Sequence, residues 1–336
     1  MTSENPISLT AIELVGQHQT GFKTRLKEIA FDWKTDGLRA EGSFFYLAFH
    51  DGQPTQDQFV EFIYYQVIPF CLDRGYIKES FEKVGAGDHQ VAMKITDEAK
   101  NLFINAKKKN KKTGEPGEII LFALLEYALG APRVLSKMQL KTNRNMEVYG
   151  SDGIHLKFDT TDGHLYLYWG EAKLYQNLSK AINRIALSVK GYMTKDGKGK
   201  TGRDYDISLI ERHSDLGNED ATQSLIKFLD PYQENHEKLR EVYACVAIWN
   251  TKIYEALEGC SPEQAEDIFK EKYGLEISTA CESFKKKIHA HSLQNLRFHF
   301  FLVPIKNAQD FRKLFCDKIG IEFEDELEDE LDGDDD

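Results

Sequence analysis

Residues 150–173, GSDGIHLKFDTTDGHLYLYWGEAK, decide how the chain is read. Two runs rich in β-branched and aromatic residues flank a turn at Thr161, Asp162 and Gly163, the pattern of a β-hairpin. Side chains on a strand alternate faces with a period of two. Leu165, Leu167, Trp169, Glu171 and Lys173 therefore share one side, and two opposite charges end an apolar face. A hairpin returning antiparallel brings Asp152, at the start of the first strand, toward the Glu171 end. Two carboxylates and one ammonium are expected at one spot.

Outward from this hairpin, Pro116 sits at a first-turn position, IILFALLEYAL (119–129) has helical apolar spacing, and Gly130 with Pro132 ends the helix. VLSKMQL (134–140) and EVYGSDGIHLKF (147–158) read as strands ahead of HLYLYWGEAK (164–173). A helix from about Asn177 carries the stripe Leu178, Ala181, Ile182, Ile185 and Val189. GYMTKDGKGKTGRD (191–204) reads as loop. VYACVAIWN (242–250) and RFHFFLVPI (297–305) read as buried strands, with helices near 262–272 and 279–292 between them and NAQDFRKLFCDKI (307–319) as a closing helix. Upstream, SFFYLAFH (43–50) reads as a strand, and Thr55 with Gln58 as a capping box opening an apolar helix. The lysine-rich NAKKKNKKTGEPG (105–117) suggests a boundary. The expected division is an N-terminal α/β lobe over 1–110, a larger domain over 111–320 and an acidic tail over 321–336.

The tail explains a net charge of −12 across 336 residues. Residues 322–336 hold eleven acids and no Lys or Arg, leaving a body of 44 acids against 43 bases, so a basic groove for nucleic acid remains open to it. At that density of like charge the tail is expected to be solvated and disordered. No run approaches the ~20 apolar residues of a membrane span and no secretory signal starts the chain, so a cytoplasmic protein is expected. Five scattered cysteines without a CxxC pair support neither a disulfide framework nor a zinc knuckle.

Paired carboxylates suit Mg²⁺, whose hard charge polarises a phosphoryl oxygen and acidifies water, and a neighbouring ammonium offsets transition-state charge. Glu118, in the first turn of the preceding helix, is the first choice for a third carboxylate, with Glu126 as alternative. The acid-x-lysine spacing alone says little, because Asp32-Trp33-Lys34, Glu98-Ala99-Lys100 and Asp196-Gly197-Lys198 share it. Only Glu171 has the strand, the preceding aspartate and the acidic helix upstream. The competing reading is a surface ion pair between Glu171 and Lys173.

This order of glutamate helix, aspartate strand and Glu171-x-Lys173 strand followed by a helix resembles the PD-(D/E)xK nucleases of restriction-endonuclease-like fold. GEIILFALLE, GSDGIHL and LYWGEAKLYQNLSKAI resemble HamA, the nuclease subunit of the Hachiman anti-phage defence system. The likeness covers roughly residues 117–190, with a looser one in the N-terminal aromatic region. It implies an α/β fold with a central mixed sheet flanked by helices, and Glu118, Asp152, Glu171 and Lys173 as catalytic residues. Asp152, Glu171 and Ala172 are the implied positions for Mg²⁺, or Mn²⁺ in its place. Ser151 stands where the family's name has proline. The implied role is cleavage of DNA when a HamB-like superfamily 2 helicase senses foreign or damaged DNA.

His155 is read as packed rather than ligating, Trp169 as core, and Gln176 and Lys180 as phosphate contacts or solvent-facing residues. No GK[ST] phosphate loop is present, so no nucleotide is expected on this chain, nor is a G-x-S-x-G elbow present. A noncatalytic DNA-binding or adaptor subunit of a helicase complex, or a structural interaction module, are the other functions this pattern allows.

Overall fold

In the computed structural model, which describes residues 21–109, 115–138, 150–214, 216 and 219–323, a helical turn α1 (Phe22–Arg25) precedes β1 (Leu26–Ile29) and β2 (Arg39–Leu47). The two-residue strands β3 (Phe49–His50) and β4 (Gln53–Pro54) form a separate ribbon. Helices α2 (Gln56–Tyr65), α3 (Val67–Cys71), α4 (Arg74–Gly85) and α5 (Gln90–Lys109) follow, then α6 (Glu115–Ala123), which runs into a π-helical turn at Leu124–Ala128. Next come β5 (Gly153–Asp159), β6 (His164–Tyr175), α7 (Leu178–Met193), α8 (Gly202–His213) and α9 (Glu219–Leu229). The chain continues through β7 (Leu239–Asn250), α10 (Pro262–Ala290), β8 (Arg297–Ile305) and α11 (Ala308–Ile319).

Six strands make one mixed sheet in the order β1-β2-β8-β7-β6-β5. The inner four run parallel, as their helical crossovers require, and each outer strand is antiparallel to its neighbour. β7 and β8 are almost entirely buried, which is why they read as unbroken apolar runs. Helices flank both faces. Phe284 of α10 stacks on Phe300 of β8 with ring centroids 4.2 Å apart, while α6 packs on the opposite face through Gly117 and Leu121. One continuous core runs from Phe22 to Ile319. No helix among the described residues is long and apolar enough to cross a membrane.

The expected hairpin forms with Gly153 opposite Gly170 and Asp159 opposite His164. Other expectations need correction. The strand expected at 43–50 in an N-terminal lobe falls largely in β2 and belongs to the same sheet as the rest, because β2 pairs with β8 from Arg39↔Arg297 to Phe44↔Leu302. The strand expected at 134–140 does not form in its described part, 134–138; an isolated bridge just before it joins Arg133 to His155. Arg133 donates to the carbonyls of Pro69, Phe70 and Leu72, and Ser136 to that of Cys71, so the segment is drawn over the end of α3 instead of along the sheet. The Thr55 hydroxyl donates to the Ala48 carbonyl and makes no capping box. The helices expected at 262–272 and 279–292 are one, since buried Tyr273, Ile277 and Ala280 carry the core stripe past Gly274. Within the expected loop 191–204, Thr201 and Asp204 form the capping box that opens α8. The strand residues expected at 139–140 and 147–149, lysine-rich residues 110–114 and tail residues 324–336 lie outside the described residues.

Gly170 fits the sheet only without a side chain: an added Cβ would stand 2.8 Å from Leu121 Cδ2 and 3.2 Å from the Gly153 carbonyl oxygen. Gly170→Ala is therefore expected to lower the unfolding free energy by about 1–3 kcal/mol through overpacking, measured by urea denaturation.

Candidate active site

The alternation of β6 sorts its end into two faces. Ala172 and Leu174 point toward α6, where an added Cβ on Gly117 would lie 3.7 and 3.5 Å from theirs. Trp169, Glu171 and Lys173 point toward α7: the Trp169 ring lies 5.9 Å from that of Tyr192, and Glu171 hydrogen-bonds Ser188. β5 begins only at Gly153, so β6 runs on past its partner. Asp152 N donates to the Gly170 carbonyl at 2.8 Å, and Asp152 Oδ2 then accepts the Ala172 N–H at 2.8 Å. The amide and carbonyl of one strand residue point the same way, so the Ala172 carbonyl faces the edge that Asp152 occupies.

Lys173 Nζ stands 2.7 Å from Glu171 Oε1, with 24% and 15% of the two side chains exposed. Burial pushes the Glu171 carboxyl up to about 7; Lys173 opposes that shift and the charge of Asp152 adds to it. Burial disfavours the Lys173 ammonium, but the charges of Glu171 and Asp152 outweigh it and hold the amine above its ordinary value. The structure thus gathers Asp152, Glu171 and Lys173. Arg312 of α11 donates to the Leu174 carbonyl on the same open edge, a cation that sequence spacing does not reveal.

Glu118 and Glu126 part company. Glu118 is buried in the first turn of α6 and lines a small cavity together with Asp152, Lys137 and His155. Glu126 lies in the π-helical turn, where its Oε1 accepts from Arg74 Nη2 at 2.6 Å and from Arg133 N at 2.7 Å, so its carboxylate is held by two donors on the α4 side. Among the described residues no three His, Cys, Asp or Glu side chains are grouped closely enough to hold a metal ion. The donors that fit a hard divalent cation are the Asp152 and Glu171 carboxylates and the Ala172 carbonyl, all oxygen.

A buried network behind Asp152 has no counterpart in the sequence reading. Asp206 of α8 is fully buried; its Oδ2 accepts from Ser151 N at 2.9 Å, Ser151 Oγ at 2.7 Å and the Tyr192 hydroxyl at 3.1 Å. Its Oδ1 accepts from Lys137 Nζ at 2.6 Å, and Lys137 also donates to the Ser151 carbonyl at 2.6 Å. Both backbone groups of Ser151 are thereby fixed one residue before Asp152. Gly150 admits the approach, for an added Cβ there, at φ +136°, would collide with the Asp206 carboxylate. His155 is buried, its Nδ1 2.8 Å from the Ala131 carbonyl, and burial draws it down to about 3. Trp169 is core, donating to Glu241 at 2.9 Å. Gln176 is exposed and Lys180 half-buried at the start of α7.

Comparison with known families finds that a model described as HamA matches residues 23–319 of the 336. A comparison with curated proteins yields no match.

Two outcomes follow from this geometry. Lys137→Met leaves Asp206 buried without its cation and is expected to cost about 3–5 kcal/mol in urea unfolding. Glu171 binds its proton more tightly folded than unfolded, so in chelator the chain is expected to lose stability as the pH rises from about 4.5 to about 7. Glu171→Gln removes that slope; an unchanged slope in the variant, read from melting temperature against pH, contradicts the assignment.

Proposed function

The chain belongs to the HamA family, and from that premise we propose that it is a Mg²⁺-dependent DNA nuclease of PD-(D/E)xK type, acting in Hachiman defence with a helicase partner. The observation that carries the reading is the convergence of Asp152, Glu171 and Lys173 at the end of β6, with Asp152 bonded to the Ala172 amide. Family membership supports the defence role. Hard oxygen donors and a retained ammonium support the chemistry.

A divalent ion held by Asp152, Glu171 and the Ala172 carbonyl would supply charge neutralisation at a phosphoryl oxygen and a more acidic water. The residues' own work is positional and electrostatic. Asp152 cannot swing away, because the Ala172 amide holds one oxygen and the Ser151 clamp fixes the preceding backbone. Lys173 is kept protonated by two carboxylates, so it offers a cation to the charge that develops on the phosphate and a donor to orient the attacking water. Glu171 ties that lysine to the same edge. Glu118 approaches from the α6 side of the shared cavity and would polarise ligands of the ion rather than bind it directly.

The direct Lys173–Glu171 ion pair and the two-carboxylate donor set favour, as a second reading, a noncatalytic DNA-binding or adaptor subunit. Supercoiled plasmid incubated with the chain, alone and with its helicase, in Mg²⁺ or chelator separates the two. The nuclease reading expects Mg²⁺-dependent nicking that falls at least about 100-fold in Glu171→Ala and Lys173→Ala, with unchanged circular dichroism. Full activity in either variant, or no nicking under any condition, removes it.

A further inference from the structure

On the α6 side of the sheet, near the starts of the parallel strands, no helical residue lines the open space. A cavity of about 230 Å³ opens there, lined by residues of β2, β6, β7 and β8 and by Leu38 just before β2. α6 covers the other half through Gly117 and Leu121, beside Gly170, Ala172 and Leu174. Parallel strands are as a rule covered on both faces, so the composition of an opening here matters.

This face is basic and aromatic. Arg39 and Arg297 occupy paired positions on β2 and β8 and both line the cavity. Like charges directly across neighbouring strands oppose sheet stability, and Glu41, the carboxylate in the cavity lining, stands 3.7 Å from His299 Nδ1. Tyr166 pairs with Lys157 on one side and Arg240 on the other, so a tyrosine stands between two more cations on the same face. Arg240 is held by the carbonyls of Glu237 and Leu239 and by the His164 ring, partners that leave its charge unneutralised. Tyr166 and Tyr168 stack with planes 25° apart; Tyr166 is half-buried and Tyr168 buried. Against four cations the face sets Glu41, while the nearby Asp159 and Asp162 are turned into the hairpin by Thr161 and by the Tyr166 hydroxyl and His164 amide.

Guanidinium pairs match phosphate geometry, and a half-buried aromatic at a sheet surface offers a base its remaining face; together they suit a single strand, whose bases are free to stack. We propose that this open sheet face binds a single strand of nucleic acid, with phosphates on Arg39, Arg297, Lys157 and Arg240 and a base on Tyr166. The proposal rests on the nuclease reading for the strand's fate but not for its binding. Six strand steps along β6 lead from Tyr166 to Ala172, about 20 Å at strand rise, so a bound strand lies within one short run of the Asp152 edge.

The test is fluorescence anisotropy of the full chain with a labelled oligothymidine and with the matching duplex, in chelator so that nothing is cut. The expected result is tighter binding of the single strand, at least about fivefold weaker in Tyr166→Ala and retained in Tyr166→Trp. The Arg39→Gln/Arg297→Gln double variant is expected to weaken binding and flatten its salt dependence by about one to two phosphate contacts. Absence of binding, binding unchanged in Tyr166→Ala and the double arginine variant, or failure of tryptophan to substitute for Tyr166 overturns the proposal. Binding of this pattern without metal-dependent cleavage keeps the strand site and removes the nuclease reading; cleavage indifferent to Tyr166 and the arginines does the reverse.

Discussion

The hydrogen bond from the Ala172 amide to Asp152 Oδ2 joins the start of β5 to the end of β6, and the rest of the site is arranged around it. It exists because β5 begins late: Asp152 makes one more ladder bond, to the Gly170 carbonyl, and then offers its carboxylate where the next strand residue would have offered a carbonyl. The strand period does the remainder. With Ala172 facing α6, Glu171 and Lys173 must face α7, so an aspartate on the edge and a charged pair on one face meet without any long excursion of the backbone.

Holding an aspartate at a sheet edge against its like-charged neighbour needs a rigid support, and the support comes from distant parts of the chain. Lys137, Ser151 and Asp206 form a buried cluster whose hydrogen bonds hold the residue before Asp152 and pair Lys137 with Asp206. A buried ion pair is weak evidence of stability for its own sake, since its desolvation opposes its Coulomb gain. Its consequence here is geometric: Ser151 is bonded through its amide, hydroxyl and carbonyl, so the direction in which Asp152 leaves the cluster is fixed.

What the sequence disclosed followed local rules. The 150–173 hairpin, the shared face of Glu171 and Lys173, the proline-led α6 and the stripe of α7 depend on periods of two and 3.6, and they formed within a few residues of expectation. What it hid was non-local. The pairing of β2 with β8 joins residues more than 250 positions apart and puts the two expected lobes into one sheet. Arg133 and Ser136 find carbonyls over 60 residues away, which no strand propensity in VLSKMQL announces. The gap expected between helices at 262–272 and 279–292 is helical because even Gly274 within it costs only about 1 kcal/mol, less than the burial of Tyr273 and Ile277 returns. The choice between Glu118 and Glu126 turned on a π-helical turn that carries Glu126 to Arg74 and the Arg133 amide.

The proposed chemistry places one requirement on this geometry, that the Asp152 edge grip a divalent ion. Electron paramagnetic resonance of Mn²⁺ titrated into the full chain measures this without any substrate. The account predicts stoichiometric uptake of Mn²⁺ that is displaced by Mg²⁺ and lost in Asp152→Asn and Glu171→Gln. Uptake that survives both substitutions, or no uptake by the unaltered chain, contradicts it.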